Sequence, residues 1–149
     1  MNKLFTVLAF LCVLTIGQSF QAHALMFDHL PKSQTSKQWL VQIDKTKDDK
    51  DSVKPQKGVF DTYSFNVRNI GHNVDFVKVQ AFRDAPNSKT KFALFSENKP
   101  TSVMIEKKGQ NFNFSVFPLW VKAKELEIVV TWKEKGIDRE LKETFLFKQ

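Results

Sequence analysis

The chain has a single cysteine in 149 residues, Cys12, and it lies inside an N-terminal apolar run. The rest of the protein therefore has no thiol. That excludes disulfides, cysteine-based metal sites and a cysteine nucleophile from it. Histidine is nearly as scarce, with only His23, His29 and His72. Arginine is limited to Arg68, Arg83 and Arg139, so lysine carries most of the positive charge. No internal repeat and no low-complexity tract is present. The apolar run Leu4–Ile16 has 13 residues, short of the roughly 20 that a transmembrane helix needs.

That run has a different reading. Lys3 supplies a positive n-region, Leu4–Ile16 an h-region, and Ala22-His23-Ala24 a small-x-small cleavage pattern. Together they describe a secretory signal peptide over residues 1–24. Leu11 precedes Cys12 where lipid attachment would require a small residue. Cleavage after Ala24 leaves 125 residues, a secreted domain in the periplasm or outside the cell, with no transmembrane segment. It retains 12 of the 15 phenylalanines and all three tryptophans. At about 150–250 Å² buried per ring, these can build a core without covalent staples. It also retains 22 basic against 16 acidic side chains, a net charge of +6. Such a surface favours anionic surroundings, although scattered lysines also serve solubility and protect sheet edges.

Residues 25–37 have no period and contain Pro31, and they read as a flexible lead-in to a domain over 38–149. From there the pattern has a period of two, the mark of half-buried strands. Strands are expected over 38–44, 59–69, 74–82, 90–96, 102–106, 111–118, 125–132 and 139–147. Trp39, Val41 and Ile43 share one face of the first, and Val59, Tyr63, Phe65 and Val67 one face of the second. Phe112, Phe114 and Val116 are expected to face inward, as are Leu126, Ile128, Val130 and Trp132. Between 69 and 74, Gly71 and Asn73 suit a turn with positive φ. The charged stretch 45–58 reads as a linker; it lacks the glycine and glutamate spacing of a calcium loop. Short strands separated by turns, with no helical period, predict an all-β antiparallel sandwich.

The stretches "YSFNVRNIGHNVDFVKVQAF", "KKGQNFNFSVFP" and "LEIVVTWKEKGIDRELKETF" resemble the long hairpin, the aromatic strand and the closing hairpin of a bacterial secreted immunoglobulin-like β-sandwich domain. The resemblance spans about residues 38–147 and implies seven to eight strands. It departs from the antibody type in having neither the cysteine pair nor the tryptophan after the first hairpin. It implies binding or structural roles more often than catalysis and transfers no functional residue.

No catalytic set is legible. His72 with Asp75 and Ser64 would imitate part of a serine triad, but Ser64 falls on a solvent-facing strand position without a strained turn. The carboxylates lie on turns and outer faces beside lysines, unlike a glycosidase pair. His72, beside Asn73 and Asp75, is the one metal candidate. Two histidines far apart do not make a site, and the turn alone accounts for this one. No cofactor is expected, and the protein is not expected to be an enzyme. Phe76, Phe82, Phe95, Phe117 and Trp120 fall off the main core parity and form a candidate aromatic binding patch. The leading expectation is a non-catalytic envelope module that binds a cell-surface protein or polysaccharide, with no nucleic-acid partner. One alternative is an oligomeric surface assembly built by exchange of the first strand. The other is a metal-handling role.

Overall fold

Among the described residues, eight antiparallel strands form two facing sheets, most of them built on alternation. A computed structural model describes residues 25, 27, 29–46, 53–94, 109–134 and 136–148. The strands are β1 (Lys32–Thr35), β2 (Trp39–Lys45), β3 (Phe60–Asn69), β4 (Val74–Asp84), β5 (Lys91–Ala93), β6 (Asn111–Trp120), β7 (Glu125–Glu134) and β8 (Glu140–Lys148). One sheet has the order β1-β2-β3-β6 and the other β5-β4-β7-β8. Counted from β2, the first sheet takes the first, second and fifth strands. The second sheet takes the fourth, third, sixth and seventh. This is immunoglobulin-like order, with the fourth strand lying beside the third as in variable-type domains. Among the described residues no helix is long and apolar enough to cross a membrane.

Each sheet turns its apolar parity inward. Trp39, Val41 and Ile43 of β2 meet Tyr63, Phe65 and Val67 of β3 in one sheet, and all six are buried. Opposite them lie Val77, Val79 and Ala81 of β4 and Leu126, Ile128, Val130 and Trp132 of β7. Trp39 and Trp132 meet edge to face across the sandwich, with ring centroids 5.7 Å apart. The β1 and β8 edges are tied together, because Gln34 Nε2 donates to the Leu146 carbonyl at 2.7 Å and Lys32 Nζ to that of Lys148 at 3.0 Å.

Part of the segment expected to be a flexible lead-in joins the sandwich. Its polar residues 32–35 form β1 on the open side of β2. Leu25 and Phe27 are buried, with Phe27 edge-on to Tyr63 at 5.1 Å. A four-residue strand of polar side chains has no apolar period to reveal it. Val59, expected inside, lies just ahead of β3 and is 42% exposed. The strand expected over 102–106 lies outside the described residues.

Two bulges reset the inward parity. Along β6, Phe114 pairs with Phe65 and Phe117 with Tyr63, so three steps on β6 oppose two on β3. The extra residue turns Phe117 and Leu119 inward after Phe112, and leaves Val116 half-buried rather than in the core. Along β4, Val74 pairs with Glu134 and Phe76 with Lys133, which brings both Val74 and Val77 inward. An extra residue of this kind bends its strand and flips every side chain beyond it.

The 69–74 corner is built from buried amides. Asn69 is 0% exposed. Gln38 Nε2 donates to Asn69 Oδ1 and to the His72 carbonyl, both at 2.8 Å. Asn69 Nδ2 donates to the same carbonyl at 2.9 Å, and the His72 amide donates to Gln38 Oε1 at 3.1 Å. Neither Gly71 nor Asn73 has positive φ, contrary to expectation. Glycine is required for close approach instead: a Cβ on Gly71 would lie 2.3 Å from Gln38 Oε1 and 2.9 Å from Gln38 Cα.

Candidate ligand-binding pocket

The four described residues of the expected aromatic patch, Phe76, Phe82, Phe117 and Trp120, do not share one surface. Phe117 is 0% exposed in the core, for the bulge reason given above. Phe95 lies outside the described residues. Phe76 and Phe82 are half-buried on the outer face of the second sheet. Six residues apart on one strand, they are separated by roughly 20 Å, with Lys78 and Gln80 between them. Trp120 is half-buried at the end of β6 and belongs to a different surface.

That surface is a pocket of about 440 Å³ lined by Val59, Phe60, Arg83, Ala85, Phe92, Pro118 and Trp120. Strand register places its central residue. Arg83 continues the inward parity of Val77, Val79 and Ala81, but lies beyond the core at the end of β4. It pairs with Phe92 of β5 on one side and Leu126 of β7 on the other. Its guanidinium carbon sits 4.7 Å from the Phe92 ring centroid and 5.2 Å from that of Trp120. Lys122 Nζ is 5.8 Å from the Trp120 centroid. These are cation–π distances, worth about 0.5–2 kcal/mol each depending on exposure. Phe92 remains 44% exposed.

Neighbouring bonds hold the pocket in shape. Asp84 Oδ1 accepts from the backbone amides of Lys124 and Glu125 at 2.8 and 3.0 Å, which pins the β6–β7 connection. The Val121 amide donates to the Val59 carbonyl at 3.0 Å, closing the opposite wall. Lys91 pairs with Glu127 on the outer face of the second sheet. No ion pair among the described residues involves Arg83. One of its donors, Nη1, reaches the Asp84 carbonyl at 3.2 Å. The pocket thus presents two rings and a positive charge that has no carboxylate partner among the described residues.

Phe92 and Arg83 were not among the residues expected from sequence. The available signal was the rarity of arginine and the mixed faces of 90–96. Only the β4–β5 register brings the two together.

A second, more polar cleft of about 880 Å³ lies along β2, β3 and β6, lined among others by Asp44, Ser64, Asn66, Asn113 and Phe114. Its polar groups are partly satisfied, since Asn66 Nδ2 donates to Asn113 Oδ1 at 2.5 Å and Asp44 Oδ2 accepts from Gln42 Nε2 at 2.7 Å. His72 is exposed at the far corner. Among the described residues, no three His, Cys, Asp or Glu side chains gather in a metal-binding group.

Residues 23–149 match the family described as YozF-like secreted proteins. The chain belongs to that family. Over 158 aligned residues it is 41% identical to the uncharacterized protein YozF of Bacillus subtilis (strain 168), covering 98% of this chain and 95% of that one. No solved structure matches the chain. Membership supports secretion, as the signal-peptide pattern implied. The pocket is the chain's own feature and its role has to be argued from its chemistry.

Proposed function

We propose that this secreted sandwich is a non-catalytic binding module that attaches to a protein or polysaccharide of the cell envelope through its Phe92–Arg83–Trp120 pocket. One observation carries the reading: two aromatic rings remain accessible around an arginine that no carboxylate among the described residues neutralises. Half-exposed aromatic surface beside a cation, held by a rigid sheet end, is what recognition uses. The net charge of +6 left after signal cleavage, 22 basic against 16 acidic side chains, adds attraction toward anionic surroundings. Exchange of the first strand is less favoured, because β2 lies between β1 and β3 and would have to leave both.

The test is co-sedimentation of the secreted protein with native envelope material. Binding is expected and should weaken at least tenfold in Trp120→Ala and in Phe92→Ala. Absence of any affinity, or hydrolysis of a generic substrate panel by the purified protein, would reject the proposal.

A further inference from the structure

Arg83 carries an inference that rests on the binding role just proposed and specifies its ligand. We infer that the pocket recognises an oxyanion, a phosphodiester or a carboxylate, carried on a sugar or polyol polymer of the envelope.

The first argument is charge. A guanidinium offers five N–H donors in a planar fork that matches two oxygens of a phosphate or carboxylate. Here one donor is directed to the Asp84 carbonyl. The Asp84 carboxylate, the nearest acid in sequence, is occupied by the Lys124 and Glu125 amides. Glu127 lies on the outer face of the sheet, where Lys91 pairs with it. Among the described residues no ion pair engages Arg83, and its remaining donors are available to a ligand. Lys122, within reach of Trp120, adds a second cation to the rim.

The second argument separates a polymer from a peptide. Extended peptides usually bind a sheet edge by adding a strand and using backbone hydrogen bonds. At this rim β5 is only three residues long, and Pro118 on β6 has no N–H to offer. Backbone pairing is poorly supported, whereas ring faces and a charged fork are present. Phe92 and Trp120 offer apolar faces to a sugar or polyol backbone, and Arg83 offers donors to its anionic substituent. The pocket of about 440 Å³ accommodates one or a few monomer units rather than a folded domain.

The experiment compares four soluble probes by calorimetry at fixed low salt: a poly(glycerol phosphate), polygalacturonate, neutral dextran and polyglutamate. Wild-type protein is set beside Arg83→Gln, Arg83→Lys and Phe92→Ala, each first checked for an unchanged melting temperature. Should an Arg83 variant be destabilised, Phe92→Ala, at an exposed position, carries the comparison. We expect binding to one or both of the first two probes. Arg83→Gln should lose at least tenfold, and Arg83→Lys should lose several-fold because the charge stays but the planar fork is gone. A preference between the first two probes tells phosphodiester from carboxylate. Equal binding by wild type and both Arg83 variants would overturn the inference. So would a preference for dextran, or for polyglutamate, which would point to an acidic protein. If none of the anionic probes binds while native envelope material still does, the oxyanion assignment falls and the binding role stands. If neither binds, both fall.

Discussion

Gly71→Ala should be among the most destabilising small substitutions in the molecule, although it adds one methyl group at a half-exposed turn. The new Cβ would lie 2.3 Å from Gln38 Oε1 and 2.7 Å from Gln38 Cδ. A free glutamine would swing away, but this one is held by bonds to Asn69, to the His72 carbonyl and from the His72 amide. Displacing it removes three hydrogen bonds worth about 1 kcal/mol each, and the approach to Gln38 Cα at 2.9 Å adds strain, while Asn69 keeps its bonds with the His72 carbonyl and the Gly71 amide. Some relaxation of the turn offsets part of this, so the expected loss is about 3 kcal/mol, or about 10 °C in melting temperature for a domain of this size. Urea unfolding followed by tryptophan fluorescence measures it. Coupling gives the sharper check. In a Gln38→Ala background the side-chain collision is gone and only the contact with Gln38 Cα at 2.9 Å remains. Gly71→Ala should then cost about 1–2 kcal/mol less than in the wild type. A Gly71→Ala protein within 0.5 kcal/mol of wild type, or strictly additive energies, would refute this account of the corner.

Phe117→Ala removes a 0%-exposed ring packed on Tyr63 and Phe65, and should cost about 3–5 kcal/mol in urea unfolding; Phe76→Ala, on the outer face, should cost far less. Asp84→Ala unpins the β6–β7 connection by leaving two backbone amides without their acceptor, and should lose about 1–3 kcal/mol while speeding amide exchange at Lys124 and Glu125. Hydrogen bonding and charge from Lys133 hold the exposed Asp138 carboxyl below its usual pKa. Any stability from this group is present above the unfolded carboxylate pKa and is lost as pH falls through the depressed value. In an NMR titration, Lys133→Met should return the Asp138 midpoint to the ordinary range.

Where strands run straight, sequence alternation reads through to the core. Leu126, Ile128, Val130 and Trp132 of β7 are buried as their spacing implies. The misreadings have local physical causes. A bulge on β6 inverts the parity of everything after Phe114, so Phe117 looks outward-facing in sequence and is core in structure. β1 is polar and four residues long, visible only through its pairing with β2. Gly71 signals a turn, but the reason for glycine there is the amide of a residue more than thirty positions away, which no local pattern reveals. Trp120 was legible as one of the three residues of the candidate site. Its companions Arg83 and Phe92 were not, because their meeting depends on long-range pairing and on where the core stops.

The most direct test of the binding pocket uses the protein's own tryptophans. Trp39 and Trp132 are buried and Trp120 is half-buried, so acrylamide quenching should report mainly on Trp120. Solubilised envelope polymer should reduce that quenching in the wild-type protein, and a Trp120→Phe variant should show little quenching with or without polymer. Polymer that binds the wild-type protein yet leaves its quenching unchanged would contradict the assignment of this pocket.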